Sequence, residues 1–233
     1  MEAVILAGGK GTRLKPFTAD LPKPLVPVGE RPIIEILLAQ FKKAGVTRVH
    51  LAVNHLAHLV MSVLGDGGRY GLEINYSVED KPLSTVGPLK LITDLPEHFL
   101  VANGDILSDL DVALLYRHHI ESGAALTVAA YERSEKIDFG VLEVSSDRRI
   151  TGFREKPVYR FSVSMGIYVF ARQVLDLVPD KTTFGFDDLM HLLLKRGENV
   201  RAYPYDGYWL DIGRPDDYEK AQNDITRINE WLD

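Results

Sequence analysis

The stretch that decides the fold is "EAVILAGGKGTRLKPFTADLPKPL", residues 2–25. It begins as an apolar run of strand length and then changes into a basic segment rich in glycine and proline. Residues 6–25 contain three glycines, an arginine, three lysines and three prolines. Glycines after a strand let backbone N–H groups point at one anion, and arginine offers a rigid fork for phosphate oxygens. The segment therefore predicts a loop that holds a polyphosphate.

Two common phosphate motifs do not match this loop. A dinucleotide fingerprint would need a glycine where Leu14 stands, and a Walker-type loop would need Gly-Lys-Ser/Thr after four intervening residues. We interpret Lys10 and Lys15 as solvated side chains. Arg13 and Lys23 are the functional candidates, because prolines at positions 16, 22 and 24 stiffen the chain that carries them.

Hydrophobic patterning outside the loop predicts an α/β fold. Apolar runs of strand length alternate with helix-period segments through the first half, which indicates a mainly parallel sheet with helices on both faces. From Phe139 the segments 139–144, 149–155, 161–170 and 200–205 look like strands, and we expect them to be antiparallel additions to the same sheet. Residues 186–197 and 215–232 look like amphipathic helices. We expect a single domain over residues 1–233.

Composition excludes several classes of protein. The net charge of −6, from 27 basic and 33 acidic side chains, argues against a nucleic-acid-binding or membrane-binding surface. The absence of cysteine excludes disulfides and thiolate metal sites. No apolar run has membrane-spanning length and no signal-peptide pattern is seen, so we expect a cytoplasmic protein. The seven histidines form no metal-binding pattern and are interpreted as structural.

The complete loop motif resembles the signature of sugar-1-phosphate nucleotidylyltransferases, also called nucleotide-sugar pyrophosphorylases. The family pattern G-G-x-G-T-R-L, followed by P-K-P, an apolar pair and proline, is matched at Gly8, Gly9, Gly11, Thr12, Arg13, Leu14, Pro22, Lys23, Pro24 and Pro27. Further blocks follow in the family order: "VEDKPLSTVGPL", "VANGD", "FGVLEV", "FREKP", "MGIYVF" and "YWLDIG". The motifs are most similar to those of members like mannose-1-phosphate guanylyltransferase. The resemblance implies a Rossmann-like, glycosyltransferase-A-like nucleotidyltransferase fold.

The same resemblance implies a set of site residues and a magnesium cofactor. Asp105 and Asp211 would bind Mg²⁺, and Arg13, Lys23 and Asp105 would be catalytic. The implied nucleotide-binding residues are Leu6, Ala7, Gly8, Gly9, Gly11, Thr12, Arg13, Glu79 and Ser84. The implied sugar-phosphate-binding residues are Gly140, Glu155, Lys156 and Ser164. The substrates would be an NTP and a sugar 1-phosphate.

Two positions bear on which substrates are used. Relatives that use thymidine or uridine nucleotides often have glutamine at the position of Glu79, or of Asp80 if the alignment shifts by one residue. A carboxylate only accepts hydrogen bonds and suits the N–H donors of guanine. GTP is therefore favoured, although "LSTVG" here replaces the "LGTAG" common in the guanylyltransferase branch. Ser164 stands where many mannose and glucose enzymes have asparagine, so mannose and a heptose are both candidates.

Two other functions stay open. One is a thymidylyl- or uridylyltransferase acting on glucose 1-phosphate, and the other is a catalytically silent regulatory subunit that binds a nucleotide-sugar. The resemblance is compatible with a homodimer. Because the sequence ends at Asp233, we expect no C-terminal left-handed β-helix domain.

Overall fold

The computed structural model describes residues 1–9, 11–15, 17–18 and 21–231. The predicted role of Lys10 lies outside these residues. In this part of the chain the α-helices are α1 Ile33–Lys43, α2 Ala57–Leu64, α3 Val112–Ser122, α4 Phe186–Arg196, α5 Pro215–Asn223 and α6 Ile225–Glu230. The strands are β1 Glu2–Leu6, β2 Pro27–Val28, β3 Arg31–Pro32, β4 Arg48–Val53, β5 Glu73–Val78, β6 His98–Asn103, β7 Ile106–Ser108, β8 Leu126–Lys136, β9 Val141–Val144, β10 Ile150–Arg154, β11 Val158–Ala171, β12 Val200–Tyr205 and β13 Trp209–Asp211.

A seven-stranded sheet in the order β12-β8-β11-β6-β1-β4-β5 forms the centre of the molecule. Strands β6, β1, β4 and β5 run parallel to one another, and β12 is parallel to β8. Only β11 within this sheet runs antiparallel, between β6 and β8. The predicted mainly parallel α/β fold is confirmed.

Strand β1 lies in the middle of this sheet because its side chains are apolar on both faces. Ala3 and Ile5 pack into one core with α1 and α3, while Val4 packs into a second core on the other face. All three side chains have no exposed surface. A strand that is buried on both faces is expected to read as a continuous apolar run, as this one does.

The expectation for the second half of the chain was partly wrong. Only β11 joins the main sheet as an antiparallel strand, whereas β9 and β10 pair with each other in a separate two-stranded sheet. β12 joins the edge of the main sheet in parallel to β8. The apolar pattern of a strand does not specify its partner, so the sequence could not distinguish these arrangements.

A buried histidine links α3 to the sheet. The side chain of His119 has no exposed surface, its Nδ1 lies 2.8 Å from Thr127 Oγ1, and its Nε2 lies 3.0 Å from Nδ1 of His98. Burial, together with the nearby His98 and His118, lowers the pKa of His119 to about 4. The imidazole is therefore neutral near pH 7.

In the described part of the chain, no helix is both long and apolar enough to cross a membrane.

Candidate active site

The glycine-rich loop begins directly where β1 ends. Ala7 N still donates to Ala52 O at 2.8 Å, and Gly8 and Gly9 follow. A Cβ atom at Gly8 would lie 2.8 Å from Oε1 of Glu79, so a side chain here would displace the Glu79 carboxylate from its present position. Gly11 has φ +60°, a left-handed conformation that favours glycine, and leads into a 3₁₀ turn at Thr12–Leu14. The loop thus needs glycine at these two positions for two different reasons.

A cleft of about 400 Å³ opens at the carboxyl ends of the parallel strands, which is where such sheets bind ligands. Of the predicted nucleotide-binding residues, this cleft is lined by Leu6, Gly8, Gly9, Glu79 and Ser84. Asp105 also lines it. Ala7 lies in a smaller adjoining cavity, and Arg13 lines a separate cleft. Gly11 and Thr12 lie between Gly9 and Arg13 in the sequence and line none of these three cavities.

Glu79 occupies one wall of the 400 Å³ cleft and is only 8% exposed. Its Oε2 accepts a hydrogen bond of 2.8 Å from Leu83 N, while Asn54 Nδ2 donates to its backbone carbonyl at 3.2 Å. Burial raises the pKa of the carboxyl, and the Leu83 N–H partly opposes that rise. These contacts fix the carboxylate and leave Oε1 on the side of Gly8.

Ser84 lies on the same wall in a conformation unusual for its residue type. Its φ is +68°, in the left-handed region that costs an L-residue about 1–2 kcal/mol. Glycine would adopt this φ without that cost. The strained backbone therefore belongs to a residue that lines the cleft.

Two distant acids meet through a short pair of strands. β7 pairs antiparallel with β13, which places Asp211 opposite Ile106, and Ile212 N donates to Asp105 O at 3.0 Å. Asp211 is open to solvent on one side, yet partial burial and the nearby Asp105 carboxylate raise its pKa, while Lys23 and Arg13 act in the opposite direction. The structure thus brings Arg13, Lys23, Asp105 and Asp211 together.

Lys23 is held against Asp105. It begins a 3₁₀ turn at Lys23–Leu25 between two prolines, and the residue is 8% exposed. Its Nζ contacts Asp105 Oδ2, forming an ion pair. Asp105 Oδ1 is buried and has no hydrogen-bond partner among the described residues. One carboxylate oxygen is thus neutralised by lysine, and the other retains its capacity to accept a ligand.

This pair of acids fits a magnesium ion. Mg²⁺ is usually held by one or two carboxylates and completes its shell with phosphate and water oxygens. The unpartnered Oδ1 of Asp105 and the adjacent carboxylate of Asp211 supply such a donor set. No group of three or more histidines and acids in the described residues could hold a metal without substrate oxygens.

The predicted sugar-phosphate residues fall into two places. Gly140 lies beside Glu155, because a Cβ at Gly140 would be 3.3 Å from Glu155 Oε2, and both are on the exposed β9–β10 segment with Lys156. Lys156 has a left-handed φ of +43°. These three residues do not line the 400 Å³ cleft.

Ser164 lies near the acids instead. Its Oγ is 3.1 Å from the hydroxyl of Tyr168, a buried residue. Burial raises the pKa of Tyr168, and the charges of Asp105 and Asp211 add to the rise. Ser164 therefore contacts a tyrosine that is close enough to Asp105 and Asp211 for their charges to affect its pKa.

A second cleft of about 580 Å³ opens on the other side of Asp211. It is lined by Arg13, Tyr131, Arg133, Trp209, Leu210, Asp211, Gly213, Arg214, Asp217 and Lys220. Arg133, Arg214 and Lys220 were not among the residues predicted from the sequence. The one local signal was a basic residue directly after "DIG", at position 214. Trp209 packs on Tyr131 in this cleft, with ring centroids 5.3 Å apart.

Known proteins are similar to this chain over most of its length. A family model described as "Nucleotidyl transferase" matches residues 2–228. A mannose-1-phosphate guanyltransferase from Debaryomyces hansenii is 38% identical over 231 residues, which cover 94% of this chain. A UTP–glucose-1-phosphate uridylyltransferase from Synechocystis sp. is 34% identical over 241 residues, which cover 95% of this chain. The chain spans 62% of the length of each of these two relatives.

A solved structure shows the same architecture. The crystal structure of HddC from Yersinia pseudotuberculosis complexed with GMP-PN superposes with a TM-score of 0.75 at 26% sequence identity. The match covers 96% of this chain and 99% of that one. The likeness therefore extends over nearly the whole chain.

Proposed function

The chain belongs to the nucleotidyl transferase family, and from that premise we propose that it joins an NTP to a sugar 1-phosphate, giving an NDP-sugar and pyrophosphate. The observation that carries the proposal is the convergence of Lys23, Asp105, Asp211 and Arg13 beside a glycine-rich loop. Two cations and two acids in one place suit a reaction between two strongly anionic substrates.

The chemistry requires charge neutralisation rather than proton transfer. The phosphate oxygen of a sugar 1-phosphate is already anionic near neutral pH, so no general base is needed. This oxygen forms a bond to the α-phosphorus, the bond from the α-phosphorus to the bridging oxygen breaks, and its electron pair leaves with pyrophosphate. Mutual repulsion between the two anions is the main obstacle to attack.

The residues of this chain would reduce that repulsion. Lys23, fixed between prolines, would hold the reacting phosphates, and Arg13 would bind the β- and γ-phosphates. Lys156 would bind the phosphate of the incoming sugar. Asp105 and Asp211 would hold a magnesium ion, which supplies Lewis-acid neutralisation of phosphate charge when it is bound.

The position of Glu79 supports guanine as the base. Oε2 is engaged by Leu83 N, whereas Oε1 lies beside Gly8 in the 400 Å³ cleft and can accept from the N–H groups of a guanine edge. The similarity to guanyltransferases supports the same choice, while the uridylyltransferase relative keeps UTP as the competing nucleotide. For the sugar we propose mannose or a heptose.

A substrate panel tests this proposal. The protein would be incubated with each of four NTPs and with mannose, heptose and glucose 1-phosphates in Mg²⁺, and pyrophosphate release would be measured. We expect release with GTP and a mannose-type sugar. Release only with UTP or TTP and glucose 1-phosphate would overturn the guanine assignment. No release with any pair, while an NDP-sugar still binds, would instead indicate a silent binding subunit.

A further inference from the structure

We propose that the second cleft is the site that receives pyrophosphate, and that Arg214 and Lys220 bind it together with Arg13. This inference rests on the proposed function and extends it to residues outside the signature motif. It assigns a role to a cleft of about 580 Å³ that shares Asp211 with the carboxylate pair. A cleft of this size lies within the usual range for small-molecule sites, roughly 300–1,000 Å³.

The charges lining this cleft favour an anion. Four basic residues face two acids there, and one of the acids, Asp211, belongs to the proposed metal site. Arg133 is partly committed, because its Nε pairs with Glu135 at 2.8 Å. Arg13, Arg214 and Lys220 form no ion pair with an acid in the described residues. Three cations therefore remain available to a polyphosphate.

The position of the cleft matches the geometry of displacement. In phosphoryl and nucleotidyl transfer, the attacking and leaving oxygens lie roughly in line on opposite sides of the phosphorus. Ser164, a predicted sugar-side residue, contacts Tyr168, whose ring packs on Phe186 in the core behind one sheet face. The second cleft is lined by Tyr131 and Trp209, which pack against the core on the other face.

The two clefts adjoin at the carboxylate pair, because Asp105 lines the first cleft, Asp211 lines the second, and Ile212 N donates to Asp105 O. If the sugar phosphate arrives from the side of Ser164, then the leaving group departs toward Arg13 and the second cleft. Arg214 directly precedes α5 and Lys220 lies in it, so both are carried by the segment that follows Asp211. Asp217 in the first turn of α5 also lines the cleft and opposes anion binding there. Removing its charge should therefore strengthen pyrophosphate binding.

The test uses the double variant Arg214→Ala/Lys220→Ala. In the reverse reaction, with an NDP-sugar and pyrophosphate as substrates, we expect the KM for pyrophosphate to rise by at least about tenfold, because charge-assisted contacts are lost. The KM for the NDP-sugar should stay unchanged. Calorimetry with pyrophosphate in magnesium buffer should show a matching loss of affinity, and Asp217→Asn should show a gain.

A matched control removes two positive charges elsewhere. Lys195→Ala/Arg196→Ala, at the exposed end of α4, should leave pyrophosphate binding and KM unaltered. If the Arg214/Lys220 variant binds pyrophosphate as the wild type does, or if only the KM for the sugar 1-phosphate changes, the inference is overturned although the proposed function stands. If the wild type catalyses neither direction, the proposed function fails, and calorimetry alone still decides whether this cleft binds pyrophosphate.

Discussion

Replacing Lys23 by methionine should destabilise the ligand-free protein and slow nucleotidyl transfer. Methionine keeps most of the length of the side chain and removes its charge. Lys23 contacts Asp105 Oδ2. Asp211 lies close enough to Asp105 for the two negative charges to repel each other. Without the lysine, Asp105 and Asp211 would repel each other, with Arg13 as the remaining nearby cation that lowers the pKa of Asp211.

The magnitude follows from burial. Contact between opposite unit charges near a protein surface amounts to about 4 kcal/mol at an effective dielectric constant of about 20, before the loss of hydration is subtracted. Removing one partner of a buried pair costs roughly 3–5 kcal/mol, whereas exposed pairs contribute about 1 kcal/mol or less. The Asp105 side chain is 22% exposed, so we expect an intermediate loss of about 2 kcal/mol in the free energy of unfolding.

Denaturant unfolding in EDTA and in Mg²⁺ measures this loss. Magnesium should recover more stability in the variant than in the wild type, because a divalent ion replaces the missing charge between the acids. Turnover, followed by pyrophosphate release, should fall by about two orders of magnitude or more. Lys15→Met, an exposed lysine in the same loop, is the control and should change neither quantity. Stability within about 0.5 kcal/mol of the wild type, together with near-normal turnover, would refute the reasoning.

Three further predictions concern the cleft wall and the buried histidine. Glu79→Gln should shift the ratio of kcat/KM for GTP over UTP by about tenfold toward UTP, because an amide both donates and accepts; an unchanged ratio in the nucleotide panel would exclude base contact. Ser84→Gly should raise the free energy of unfolding by about 1 kcal/mol, measured by urea titration, since glycine relieves the left-handed φ of +68°. His119 has a folded pKa of about 4, below its ordinary 6.5, so the unfolded state binds more protons between these values. Stability should therefore fall by about 3 kcal/mol as pH drops from 6.5 to 4, and His119→Gln should remove that part of the pH dependence in denaturation curves.

The first half of the fold was predictable because its information is local. β1, β4 and β6 are buried on both faces, and the next α-helix after each of them is α1, α2 and α3 respectively, which is the alternation of a parallel sheet. The pairing of β9 with β10 was not predictable in this way. Its residues are exposed on both faces, so hydrophobic alternation gave no indication that the hairpin stands apart from the main sheet.

The candidate site was likewise only partly predictable from the sequence. The loop residues Gly8 and Arg13 belong to one continuous motif, so chemistry and spacing were enough to select them. The meeting of Asp105 with Asp211 depends on two strands of three residues each, which are too short to produce a recognisable pattern. Family resemblance supplied that pairing. Lys220 and the other missed cations look like ordinary solvated charges until folding gathers them into one cleft.

The ladder between β7 and β13 has a consequence for how the site is assembled. Its partners are separated by about a hundred residues, so closing it is entropically costly and is expected late in folding. Local opening of so short a ladder would detach one acid from the other while the seven-stranded sheet stayed intact. Substrate and a metal ion that bind both acids would then hold the two strands together, so that the site is most rigid only while its ligands are bound.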